Sequence, residues 1–98
     1  MPPVTSPDET PALSPRQRRL LFRALHRGTK ECDLMVGGFV RRHIAALAEA
    51  ELAELEAILE LPDVDLADWL SGRRPMPEDL RSPLLERMAH EARAGLAR

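Results

Sequence analysis

The sequence predicts an all-α protein: a single compact bundle of about five short helices behind a disordered N-terminal tail. Three observations point there. Ala, Leu, Glu and Arg dominate, whereas aromatic residues make up only 3% of the chain and β-branched ones are scarce, a balance that favours helix over strand. Apolar residues recur at helical spacing in one segment after another, with no strand-like alternation. A length of 98 residues is that of one domain, and 44% hydrophobic with 31% charged residues suits a globular one.

Residues 1–13 carry Pro2, Pro3, Pro7 and Pro11 among small polar residues and read as the disordered tail. The helical domain takes up residues 14–98. Ser14 is placed to cap the first helix, Pro15 suits its first position, and Gln17 stands where a capping box needs it. Leu20, Leu21, Ala24 and Leu25 form its apolar stripe, and Gly28 is the expected stop. Thr29 caps a second helix whose first turn holds Glu31 and Asp33, where the helix dipole favours acids. Its apolar face runs Cys32, Met35, Val36, Phe39, Val40, Ile44. Gly37 and Gly38 lie inside it and cost about 1 kcal/mol each, so a neighbouring backbone is expected to pack closely there. A third helix spans Glu49 to Glu60 with Leu52, Leu55, Ile58 and Leu59 inward and Glu49, Glu51, Glu54 and Glu56 outward; Pro62 breaks it. A fourth runs from Asp63 to Leu70, with Leu66, Trp69 and Leu70 apolar. Residues 71–77 are turn-rich. Ser82 and Pro83 open the last helix, in which Leu84, Leu85, Met88 and Ala92 face inward.

Composition excludes several function classes. Cys32 is the one cysteine, so no intramolecular disulfide exists and a reducing compartment is expected. No apolar run approaches the roughly 18 residues of a membrane span. Residues 1–14 contain Asp8 and Glu9 and no basic residue, unlike a secretory or mitochondrial leader, so the chain reads as cytoplasmic. Cys32 on an apolar helix face reads as a core residue with no base beside it. His26, His43 and His90 lack metal-ligand spacing. Arg73 and Arg74 read as a solvated loop pair, and no glycine-rich phosphate loop follows a strand. Nothing marks the chain as an enzyme.

Net charge is −2, but it is unevenly spread. Between Arg16 and Arg42 there are eight basic and two acidic residues, which leaves six basic and fourteen acidic elsewhere. The molecule is therefore expected to have a basic end and an acidic end. The basic first helix supports an alternative reading as a small nucleic-acid-binding or regulatory module. The acidic balance of the whole and the shortage of aromatics argue against nucleic acid.

The junction Arg27-Gly28-Thr29-Lys30-Glu31-Cys32-Asp33 reads R-G-x-x-E-x-D. Leu59 to Leu70 reads L-x-x-x-D-x-D-L-x-x-W-L. Together, at this spacing in a chain this short, they resemble the succinate dehydrogenase flavinylation factors, and the likeness extends over about residues 16–90. The resemblance implies an assembly factor that is not itself the catalyst. It implies binding to the flavoprotein subunit of succinate dehydrogenase, and in some members of fumarate reductase, to promote covalent attachment of FAD to that subunit. It implies no stably bound cofactor, and a monomer when free. It assigns Arg27, Gly28, Glu31 and Asp33 to the partner contact, with Arg23 on the same surface. Each also has a local role available: Arg27 and Glu31 suit the helix dipoles, Gly28 suits a cap, and Asp33 suits a helix start. Trp69 is assigned to the core, with partner contact as the alternative. Ala48 stands where the third helix is expected to begin with Ser or Asp.

Overall fold

A computed structural model describes residues 13–95. Among them every regular element is helical, with no strand. Helix α1 covers Pro15–Leu25. A second rod is built from α2 (Lys30–Cys32), a π-helical stretch (Asp33–Gly37), α3 (Gly38–His43) and a 3₁₀ turn (Ile44–Ala46). Then come α4 (Glu49–Leu59), α5 (Asp63–Ser71), a 3₁₀ turn (Glu78–Leu80) and α6 (Pro83–Arg93). The expected five rods are present. The tail assigned to residues 1–13 lies outside the described residues apart from Leu13, which is 7% exposed and joins the core.

Local sequence explains where the rods begin. The Ser14 hydroxyl accepts the Gln17 amide N–H at 3.1 Å, while the Gln17 side chain accepts the Ser14 N–H at 2.7 Å. Thr29 accepts from Cys32 N–H, and Ser82 from Leu85 N–H, each at 3.2 Å. Such caps satisfy donors that helix geometry leaves open. Ala48 has no side-chain oxygen to offer, so only half a box forms there: Glu51 accepts the Ala48 N–H at 2.9 Å. Helix α1 ends at Leu25, earlier than the Gly28 stop read from sequence. Gly28 instead occupies the connecting turn with φ +110°.

Packing explains the glycine inside the second rod. A Cβ on Gly37 would lie 2.7 Å from Leu25 Cδ2, 3.0 Å from the Ala24 carbonyl oxygen and 3.1 Å from Leu25 Cα. The π stretch therefore touches the backbone of α1, as the glycine cost required. Gly37→Ala adds about 1 kcal/mol of helix propensity, but overpacking against an immobile backbone costs about 1–3 kcal/mol. The clash wins, and a net loss near 1 kcal/mol should lower the thermal midpoint by about 4–8 °C. A midpoint at or above wild type would mean that α1 and the second rod can separate freely.

Phe39, Leu55, Leu66, Leu70, Leu84, Leu85 and Met88 are almost wholly buried and join all the later rods into one core. Trp69 is 6% exposed, which places it in the core, with the Arg74 guanidinium 5.8 Å from its ring centre. The Arg93 side chain donates to the Trp69 and Leu70 carbonyls at 2.7 and 3.2 Å, closing the C-terminal turn of α5.

The basic and acidic segments do not form opposite ends, as charge counting suggested. They face each other. Arg16 of α1 bridges Glu49 and Glu56 of α4 at 2.6 and 2.9 Å, and Arg23 bridges Glu60 at 2.7 Å. On the far side of α4, Glu51 takes Arg87, and Glu54 accepts the Leu84 N–H at the start of α6. Exposed pairs of this kind are worth under about 1 kcal/mol each, but they offset part of the charge asymmetry.

A more sheltered cluster joins α3 to α6. Glu91 accepts from Arg42 at 2.5 Å and pairs with His43 at 2.7 Å. Burial alone would raise the Glu91 pKa, but the hydrogen bonds from Arg42 and His43 outweigh it and hold the carboxyl below its usual value. A carboxyl with a depressed folded pKa contributes stability above its unfolded value and loses it as pH falls through the folded one. This contribution should therefore be kept from neutral pH down to about pH 4.5 and lost below it, so the thermal midpoint should drop there, and Glu91→Gln should be less stable at neutral pH with a shallower drop. An unchanged pH slope in that variant would remove Glu91 from the acid response.

Candidate functional site

The turn between α1 and α2 is tied to three other elements through Arg27 and Asp33. Arg27 follows the frayed end of α1 and points inward, its side chain only 9% exposed. Its Nη1 and Nη2 donate to the Leu59 and Leu61 carbonyls, both at 2.5 Å, and its Nε to Asp63 Oδ1 at 2.7 Å. Leu59 ends α4 and Asp63 begins α5, so one guanidinium joins three elements. It satisfies carbonyls that a helix C-terminus leaves open, at the negative end of the dipole. The Arg27 amide donates to Asp33 Oδ1 at 2.7 Å, which folds the turn back on the second rod.

Gly28 and Glu31 are the parts of the motif that face out. Both are exposed, and the Glu31 side chain keeps 48% of its surface, with Arg73 Nη2 3.4 Å away. Nearest to a Cβ on Gly28 would be Asp63 Oδ2 at 3.9 Å, an ordinary contact. What demands glycine is the backbone: φ +110° is a conformation that L side chains rarely adopt. Beside the turn a cleft is lined by Thr29, Glu31, Val64, Ala67, Asp68 and Arg73. Val64 is 72% exposed there, an apolar side chain in water.

The structure thus separates the residues assigned by the motif. Gly28 and Glu31 lie together on the surface. Arg27 and Asp33 hold that surface in shape. Arg23 lies one turn back on α1, half-exposed and bridged to Glu60. Sequence reasoning gave no site role to Asp63, Arg73 or Val64. Asp63 read only as the first acid of the L-x-x-x-D-x-D-L-x-x-W-L segment, and Arg73 with Arg74 as a solvated loop pair. Arg73 and Arg74 are in fact bridged to Asp68, and Arg74 also to Asp65. Hydrogen bonds from Arg73 and Arg74 hold the Asp68 carboxyl below the usual range.

Other chemistry finds little support here. Cys32 is fully buried, burial pushes its thiol pKa up, and its Sγ–H donates to the Asp63 carbonyl at 3.3 Å. A thiol kept protonated and covered is a packing group. Among the described residues, no group of His, Cys, Asp and Glu is placed to hold a metal ion, and no helix is long and apolar enough to cross a membrane. Three of the arginines behind the nucleic-acid reading, Arg16, Arg23 and Arg27, are engaged by carboxylates of this chain.

Comparison with known proteins places the chain among named relatives. Over 81 residues the chain is 49% identical to the FAD assembly factor SdhE of Acetobacter pasteurianus, covering 83% of this chain and 74% of that protein. It is 29% identical over 77 residues to the mitochondrial succinate dehydrogenase assembly factor 2 of Dictyostelium discoideum, covering 79% of this chain and 55% of that one. The corresponding protein of Schizosaccharomyces pombe is 34% identical over 64 residues, and 46% of it is covered. The chain thus spans about half the length of these mitochondrial relatives. Residues 18–92, from α1 through nearly all of α6, match the family described as flavinator of succinate dehydrogenase, and the chain belongs to that family.

Proposed function

We propose that this chain binds the flavoprotein subunit of succinate dehydrogenase and promotes covalent attachment of FAD to it. Family membership supports the reading, together with a relative 49% identical that is named an FAD assembly factor. The observation that carries it to particular residues is the Gly28–Glu31 turn. It is exposed, yet its shape is fixed from behind by Arg27, Asp33 and Asp63. A preformed contact surface binds with less ordering cost than a mobile loop.

In this reading the chain supplies no reacting group and holds no FAD of its own. The bond forms within the flavoprotein, and the factor favours the arrangement of its partner in which flavin and acceptor side chain meet. Such assistance is differential binding to one conformation. The free factor is a monomer in the cytoplasm, and fumarate reductase is a second client where the cell makes it.

Deleting the gene and measuring flavin fluorescence of the denatured flavoprotein on gels tests the proposal. Covalent flavin should fall severely and return when the wild-type chain is restored. Undiminished covalent flavin in the deletion strain would end it.

A further inference from the structure

The outward face of α1 carries a feature that the Gly28 turn leaves unused. Phe22 is 62% exposed, whereas Phe39 and Trp69 are buried. Its ring stacks on His26 at 4.1 Å with an interplanar angle of 21°, and His26 Nδ1 lies 2.8 Å from the Phe22 carbonyl oxygen. The aromatic pair is therefore ordered on the helix surface. Phe22 forms the shared wall of two shallow grooves. One is lined by Pro15, Arg18, Arg19 and Arg23, without an acidic residue. The other runs over Arg23, His26, Leu61 and Pro62 to Arg27 and Asp63, and so reaches the motif turn. Arg18 donates one N–H to the Leu13 carbonyl and Arg23 takes Glu60; neither Arg18 nor Arg19 forms an ion pair with a described residue, and Arg19 acts on Glu56 only through its charge at longer range.

An aromatic anchor ringed by guanidinium groups is a recognisable kind of binding surface. Covering the ring removes apolar area from water, and Arg forks hold carboxylates in fixed geometry. We infer that this face of α1 docks an acidic segment of the flavoprotein, one that sets an apolar side chain against Phe22 beside Arg18 and Arg19. The inference rests on the flavoprotein reading given above and adds a second contact area continuous with the Gly28–Glu31 turn. Charge complementarity selects an acidic occupant, and the groove through His26 and Leu61 makes the two areas contiguous.

Both side chains to be altered are exposed, so the fold should survive their replacement. The full-length chain is titrated with purified, FAD-loaded flavoprotein subunit at low and at high salt. Phe22→Ala should weaken binding about tenfold at both. Arg19→Glu should weaken it about tenfold at low salt and flatten the salt dependence. Thermal midpoints should match wild type. If the wild-type chain does not bind the flavoprotein, the underlying reading fails. If the wild-type chain binds and both variants bind within about twofold of it, this inference alone is overturned. It is also overturned if the wild-type chain is retained on duplex DNA in the same buffer and Arg19→Glu is not, since the face would then serve phosphates.

Discussion

Replacing Arg27 with alanine should cost about 3 kcal/mol of stability, the largest effect expected of any single substitution near the turn. The guanidinium is 9% exposed and makes three hydrogen bonds to two carbonyls and a carboxylate. Alanine leaves the Leu59 and Leu61 carbonyls without this donor and Asp63 without its counter-charge. Breaking a buried pair from one side costs about 3–5 kcal/mol. The low end applies because Asp63 keeps 23% of its surface and can recruit water. A domain of this size has about 5–15 kcal/mol in all, so much of the margin would go. Arg27→Lys should lie between, since one ammonium cannot reproduce the planar fork. Urea denaturation followed by circular dichroism decides it. A midpoint for Arg27→Ala within error of wild type would show that the inward ties contribute nothing.

What the sequence could show depended on how far apart the cooperating residues stand. Caps are local: Ser14 with Gln17, Thr29 with Cys32 and Ser82 with Leu85 lie within one turn, and each was readable from letters alone. Gly37 was readable as a cost in need of a reason, and the backbone of Ala24 and Leu25 supplied it. The surface-facing half of the motif was readable through resemblance. Its inward half was not, because Arg27 bonds to carbonyls of residues 59 and 61, and a carbonyl has no signature in sequence. The basic and acidic stretches were visible as segments, but only the parallel approach of α1 and α4, with the second rod returning between them, sets Arg16 against Glu56 and Arg23 against Glu60. The π stretch at Asp33–Gly37 was likewise hidden, since the wider turn answers to packing on α1 and not to any local signal.

Gly28→Arg separates the two roles of the turn, and it should abolish support of flavinylation while leaving a folded protein. A side chain forced to hold φ +110° costs about 1–2 kcal/mol, less than half of what the domain has to lose. The midpoint should fall by about 4–8 °C for each kcal/mol. Space is not the cause, because the nearest atom to the new Cβ is Asp63 Oδ2 at 3.9 Å. Proximity to Asp63 adds a second injury, for a new guanidinium there competes with Arg27 for the same carboxylate. Gly28→Ala serves as the control. It carries the backbone strain without the bulk or the charge, so its midpoint should fall comparably while flavinylation support is largely kept at a temperature where both variants are folded. If Gly28→Ala and Gly28→Arg lose function in equal measure at that temperature, strain and not the exposed surface is what matters. If Gly28→Arg restores covalent flavin to a deletion strain as well as wild type does, the turn is not where the flavoprotein binds.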